Sequence, residues 1–254
     1  MLNKLNYAKM IFFLLLIKLI TIFYRKDNIH RFQKAMMSFI IGFKSNKTSQ
    51  KLKDFLYPEI THKAWYEPDD YDVLQLVNYT LIKGFEDIEN EWLNHLSSNQ
   101  KVVSLLSASE AYSHLKDEDW QGYQLRFGGK FTQTGLALFP KTVKILHKLE
   151  PFLYANGLVE LIVMKPSVYI PPHKDDMNTS LTCHLGIKLP ENCGLKVGGE
   201  TRNLKKGNIL FFDNSFEHEA WNYSQEERVI LLLELYHPEL TNIEKILLQF
   251  ILTV

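Results

Sequence analysis

The sequence predicts a mainly β domain, a jelly roll with flanking helices, set behind an N-terminal hydrophobic helix. Three observations lead there. From about residue 158, short aliphatic runs recur between clusters of Gly, Pro, Asn and Asp, the pattern of short strands joined by turns. Before them, residues 72–96 carry apolar side chains at three- and four-residue steps, the period of a helix with one buried face. At the N-terminus, residues 10–24 read MIFFLLLIKLITIFY, apolar except for Lys18 and Thr21.

The N-terminal element is short for a membrane span and carries a charge at Lys18. The following YRKDN offers no small-residue cleavage site, which argues against a secretory signal. Lys18 can snorkel, and Tyr7 and Tyr24 extend the segment into the interfaces. Residues 1–27 are therefore assigned to a membrane anchor or interfacial helix, with membrane association through residues 10–24. A buried core helix is the competing reading, because no uncharged run reaches about 20 residues. Arg25, Lys26, Arg31, Lys34 and Lys44 outnumber Lys4 and Lys9. By the positive-inside rule the bulk of the chain then lies on the cytoplasmic side.

Residues 28–50 comprise a second helix with its own apolar patch, ending in the polar linker Ser45 to Gln50. Residues 51–254 form the main domain. Within it, Asp72 to Leu96 is one helix, or two broken at Gly84, and Pro140 to Leu149 is another with Pro140 in its first turn. Strands follow at Val159–Met164, Leu181–Leu189, Leu195–Val197, Asn208–Phe212, Glu217–Trp221 and Arg228–Tyr236. Gly198-Gly199 reads as a hairpin turn. Many short strands at regular spacing favour a two-sheet jelly roll. Leu240 to Val254 is a closing apolar helix.

Composition excludes some functions. The chain has 254 residues with 29 basic and 29 acidic side chains, so no overall field recruits nucleic acid. No repeat or low-complexity tract is visible. Cys183 and Cys193 are the only cysteines, too few for a disulfide framework. They read as two small semi-buried thiols or as one hairpin bridge.

The chemistry centres on His173-Lys174-Asp175, answered by His218. Two imidazoles and a carboxylate can cover one face of an octahedral metal and leave the opposite face open for substrate and oxygen. Spacing alone is weak evidence. With 9 His in the chain, roughly one His-x-Asp/Glu is expected by chance, and a second occurs at His237-Pro238-Glu239. His173 reads equally as a surface-loop residue beside Lys174, Asp175 and Asp176, and His218 as an ion pair with Glu217 or Glu219. Arg228 opens an apolar strand, where it pairs either a dicarboxylate ligand or one of Glu226, Glu227 and Glu234. His184 lies mid-strand, where a histidine is commonly a satisfied core residue.

From Phe55 to Leu240 the chain resembles the aspartyl/asparaginyl β-hydroxylase family of Fe(II)/2-oxoglutarate dioxygenases. The resemblance is carried by Ala64-Trp65-Tyr66-Glu67-Pro68-Asp69, Cys183-His184-Leu185-Gly186, Gly199-Glu200-Thr201-Arg202, the stretch from Phe212 to Asn222, and Tyr236-His237-Pro238-Glu239-Leu240. It implies a double-stranded β-helix, a cupin-like jelly roll, with His173 and His218 on iron. Arg228 matches the family's 2-oxoglutarate-binding arginine, and His184 a histidine that assists at the same cosubstrate. The implied reaction is oxidative decarboxylation of 2-oxoglutarate to succinate, coupled to hydroxylation of an unactivated C–H bond.

The chain departs from the family pattern in two ways. Animal members acting on epidermal-growth-factor-like domains have Gly where this chain has Asp175. As in bacterial relatives that include lipid A 2-hydroxylases, the full set His173, Asp175 and His218 is present here. Thr182 and Ile162 stand where the family usually has an arginine and a small hydroxyl residue that help hold 2-oxoglutarate. Lys174 or Lys165 are the candidates to compensate. The expected substrate is a peptide side chain or a lipid acyl chain. The alternative is a non-catalytic jelly-roll binding module that has lost 2-oxoglutarate use.

Overall fold

The computed structural model describes residues 30–35, 56–96, 103–105, 110–175 and 177–253. After a helical stretch at residues 30–35 the elements run β1 (Trp65–Tyr66), α1 (Asp72–Lys83), α2 (Phe85–Leu96), β2 (Val103–Ser104), β3 (Trp120–Phe127) and β4 (Lys130–Phe131). Next come α3 (Gln133–Leu138), α4 (Pro140–His147), β5 (Val159–Met164), β6 (Val168–His173), β7 (Ser180–Lys188) and β8 (Cys193–Val197). The chain closes with β9 (Glu200–Arg202), β10 (Ile209–Phe212), β11 (His218–Asn222), β12 (Arg228–Tyr236) and α5 (Asn242–Thr253).

The strands form two antiparallel sheets. The larger runs β1-β10-β7-β12-β5-β3-β2, with β4 paired to β3, and the smaller runs β6-β11-β8-β9. Alternation along the strands gives the larger sheet two apolar faces. Val159, Leu161 and Val163 of β5, with Leu181, Cys183 and Leu185 of β7 and Val229, Leu231 and Leu233 of β12, face the helices. There they meet Leu74, Val77 and Leu81 of α1, Ile88 and Trp92 of α2, and Leu146 of α4. The intervening residues face the smaller sheet: Ile162, Met164, Ile230 and Phe212 pack with Val168, Ile170, Leu195, Val197 and Ala220.

The architecture is therefore mixed α/β with two antiparallel sheets, rather than mainly β. The helices cover one face of the larger sheet and the smaller sheet the other, which is why the run Val229–Leu233 of β12 is aliphatic throughout instead of alternating. Of the two readings for residues 72–96, the structure has the pair of helices broken at Gly84. A side chain there would bring a Cβ to 2.5 Å from Ile145 Cδ1, so the glycine lets α4 approach the joint. Pro140 starts α4, whose N-terminus is capped from α2. Glu91 accepts the backbone N–H groups of Lys141 and Thr142 at 2.7 and 2.8 Å.

Strand β3 went unrecognised in the sequence because WQGYQLRF breaks its aliphatics with glycine and polar side chains. The interruption at Gly122 has a steric cause: a Cβ would sit 1.8 Å from the Leu161 carbonyl oxygen of the neighbouring strand. The turn expected at Gly198-Gly199 joins β8 to β9, with φ of +57° and +87° at its two glycines. Cys183 and Cys193 are both free and buried.

A third cluster joins the helical stretch at 30–35 to the end of the domain. Phe32 and Ala35 pack with Tyr57, Tyr154, Tyr236, Leu247 and Leu248. Arg31 grips Glu244 through Nε and Nη2 at 3.0 and 2.7 Å, and Nη2 also donates to the Glu239 carbonyl at 2.7 Å. The hydrophobic segment at 10–24 lies outside the described residues, as does most of the 28–50 segment expected as a helix and linker. Among the described residues no helix is long and apolar enough to cross a membrane.

Candidate metal centre

The site is built where the smaller sheet presents two histidines side by side. Strands β6 and β11 pair with His218 directly opposite His173, and a register shift follows between His218 and Ala220. The ring centroids are 4.1 Å apart. Pro171 and Pro172 lack an N–H for a ladder, which suits β6 because it is an edge strand of its sheet. Asp175 lies just beyond the end of β6 and is held by Asn214. Its N–H donates to the Asn214 carbonyl at 2.9 Å, and its Oδ2 accepts from Asn214 Nδ2 at 2.8 Å. Because β6 ends at His173, Asp175 is brought beside it by a loop pinned on Asn214 rather than by the alternation of a strand.

One ligand atom from each of His173, Asp175 and His218 lies within 4.8 Å of the others. The donor chemistry suits a metal. His173 Nδ1 faces the Pro171 carbonyl at 2.8 Å and His218 Nδ1 faces the Phe216 carbonyl at 2.9 Å. Each imidazole thus carries its proton on Nδ1, donates it to the backbone, and leaves the Nε2 lone pair free. Burial, followed by the neighbouring His173, holds the His218 pKa below its ordinary value, while Asp175 opposes the shift. A neutral imidazole is the form that binds metal.

Behind this trio the inward residues of the larger sheet line the space between the sheets. His184 pairs with Leu232 and with Leu210, on the same face as Thr182. Its Nδ1 is buried and has no hydrogen-bond partner among the described residues, which sets it apart from a satisfied core histidine. Burial, then the positive charge of Arg228, pushes its pKa well below the usual value. Arg228 is 2% exposed, and its Nε has no partner among the described residues. Its Nη1 lies 3.6 Å from the Met164 sulfur.

None of the glutamates expected to neutralise Arg228 does so. Glu226 pairs with Lys188, Glu227 with Lys165, and Glu234 accepts from the Leu158 N–H. A guanidinium taken out of water without a counter-ion costs several kcal/mol, so a ligand anion is the natural complement. Ile162 sits in the apolar cluster between the sheets, and Thr182 is buried.

The rival spacing His237-Pro238-Glu239 is structural. His237 is fully buried; its Nε2 meets the Tyr66 hydroxyl at 3.1 Å, and its Nδ1 accepts the Glu239 N–H at 3.2 Å. Glu219, beside His218, points away to Tyr169 and Lys196. The sequence reading missed Asn214, Tyr112 and Glu160. Tyr112 stands edge-on to His173 at 5.8 Å. Glu160 was discernible as the single acidic residue in VELIVM, a strand buried throughout.

Two facing antiparallel sheets, with a His-Asp-His cluster on one and an unpaired buried arginine on the other, define a two-sheet protein with a candidate metal centre. The family model described as Aspartyl/Asparaginyl beta-hydroxylase matches residues 83–238. The mouse aspartyl/asparaginyl beta-hydroxylase is 34% identical over 182 residues, covering 70% of this chain and 24% of that protein. Human aspartate beta-hydroxylase domain-containing protein 2 is 28% identical over 217 residues, covering 82% of this chain and 56% of that protein. The chain thus spans 24% of the first relative's length and 56% of the second's. Among solved structures, a prolyl hydroxylase from Trichoplax adhaerens in complex with a hypoxia inducible factor peptide fragment aligns with a TM-score of 0.43 at 11% identity, over 61% of this chain and 79% of that one. The protein belongs to the aspartyl/asparaginyl β-hydroxylase family.

Proposed function

We propose that the protein is an Fe(II)- and 2-oxoglutarate-dependent dioxygenase of the double-stranded β-helix type, hydroxylating an unactivated C–H bond. The observation that carries this is the convergence of His173, Asp175 and His218 with both imidazole Nδ1 atoms turned onto backbone carbonyls. His173, Asp175 and His218 would hold the metal. Arg228 would bind the distal carboxylate of 2-oxoglutarate, with His184 alongside. Iron with 2-oxoglutarate supplies the oxidising chemistry. The chain's own part is to fix the ligand set, bind the dicarboxylate by its buried guanidinium, and keep water out with the apolar wall of Ile162, Ile230 and Leu232.

The substrate on this reading is a peptide side chain or a lipid acyl chain. Membrane association through residues 10–24 belongs to the same proposal and rests on the sequence. Anaerobic titration with Fe(II) and 2-oxoglutarate is expected to give a weak visible charge-transfer band, and admission of oxygen to give succinate. Intact fold with neither band nor succinate sinks the proposal. That result would favour a binding module, for which Ile162 and Thr182 are the supporting observations, because neither supplies a charge for 2-oxoglutarate.

A further inference from the structure

Glu160 is the acidic residue of the inner wall that the proposed chemistry does not use. It lies on β5 between Val159 and Leu161, with the same parity as Ile162 and Met164, and therefore faces the smaller sheet. Its exposure is 5%, and its one hydrogen bond accepts from Gln124 Nε2 at Oε1, 3.1 Å away. The second carboxylate oxygen has no partner among the described residues, and no Lys or Arg among them forms an ion pair with it. The second oxygen of Glu160 is therefore open to a donor.

On the inner face Glu160 stands opposite Leu232 of β12, which in turn stands opposite His184 of β7, with Glu234 two residues farther along β12. Tyr112, edge-on to His173, is held above the usual tyrosine range by burial and then by the charges of Asp175 and Glu160. Its hydroxyl makes no hydrogen bond among the described residues. Glu234, also on the inner face, accepts the Leu158 N–H at 2.8 Å. Burial, reinforced by Asp175 and Glu160, pushes Glu234 up to about 7. The basic residue that acts on Glu234 is Arg126, and its guanidinium is turned onto the carbonyls of Tyr154, Ala155 and Gly157. Burial likewise raises the pKa of Glu160.

We infer that Glu160, with Tyr112 and Glu234 beside it, selects the substrate by taking a protonated amine or guanidinium that the substrate carries close to the reacting C–H bond. The inference rests on the hydroxylase reading of the site. An ammonium or guanidinium would donate to the free oxygen of Glu160 and lie against the Tyr112 ring, where a cation is also attracted. A carboxylate in the same place would meet Glu160 and Glu234 and gain no counter-ion from either.

Two sets of probes separate a basic peptide from an amine-bearing lipid. The first is a set of heptapeptides identical except for a central Lys, Arg, Asp or norleucine; the second is dodecylamine against dodecanol. Binding is measured by calorimetry on the Fe(II)-loaded protein without oxygen. The cationic member of at least one set is expected to bind about tenfold or more tightly than its neutral or acidic counterpart. The preference should vanish in Glu160→Gln and turn toward the Asp peptide in Glu160→Lys, with circular dichroism confirming that each variant folds. No cationic preference in either set overturns the inference, as does a preference that Glu160→Gln leaves intact. Wild-type 2-oxoglutarate turnover is measured separately. Turnover without cation preference defeats the inference alone, and cation preference without turnover defeats the hydroxylase reading alone.

Discussion

Arg228 is placed where stability alone would not put it. A buried guanidinium whose hydrogen bond among the described residues is to the Met164 sulfur destabilises the unliganded fold, because that contact repays little of its lost hydration. Replacing it with an apolar side chain of similar length should separate stability from binding. Arg228→Met is expected to melt higher than the wild type by several degrees, at about 2–4 °C per kcal/mol for a domain of this size. It should also lose the rise in melting temperature that 2-oxoglutarate gives the wild type. A variant still stabilised by 2-oxoglutarate would show that another residue anchors it. Asp175→Ala is expected to weaken Fe(II) binding and abolish succinate formation without added substrate; unchanged turnover would mean that two histidines suffice. At this scale the sequence was legible in its chemistry but not in its supports. The types and spacing of His173, Asp175 and His218 were visible, and their convergence is what the structure adds. Asn214, which pins Asp175, makes its contact across 39 residues, and no local pattern encodes such a contact.

Among the elements, those whose burial leaves a period were readable and those shaped by a close approach were not. Strand β12 carries the aliphatic run Val229–Leu233 and could be placed to the residue, whereas β3 is disguised by Gly122. Gly122→Ala is expected to be severely destabilising, because its Cβ would collide with a backbone carbonyl that cannot turn aside. Gly84→Ala should be milder, since the obstacle is the flexible tip of Ile145. Equal losses in urea unfolding would contradict this ordering. Helix α4 makes a second case. Glu91 receives the N–H groups of Lys141 and Thr142 and the Thr142 hydroxyl, so a residue of α2 caps its neighbour. Glu91→Ala should cost about 1–2 kcal/mol by the same measurement. The cap was invisible in sequence because its acceptor lies some 50 residues before the helix it serves.

For the molecule as a whole, acid stability turns on His237. Its Nδ1 accepts the Glu239 N–H, so protonation breaks a contact as well as charging a buried ring. Burial lowers its pKa to about 4, below the usual 6.5. The unfolded chain therefore binds the proton more readily. The stability this supplies is complete above about pH 6.5 and is lost as the pH falls toward 4, a contribution of up to about 3 kcal/mol. The stability difference between wild type and His237→Gln should shrink over that range, and a constant difference would exclude this role. The sequence offered His237 as a rival ligand; only its burial and partners reveal a structural residue. The Arg31–Glu244 pair has a mechanical consequence. It joins positions 213 residues apart, with Glu244 1% exposed and also receiving the Tyr57 hydroxyl. A chain begun at residue 51 keeps every candidate site residue yet strands Glu244 without its cation, and should be weaker by about 3–5 kcal/mol in chemical denaturation. Tension applied through the N-terminal residues would load this clasp on α5 before it reached the sheets that carry the site.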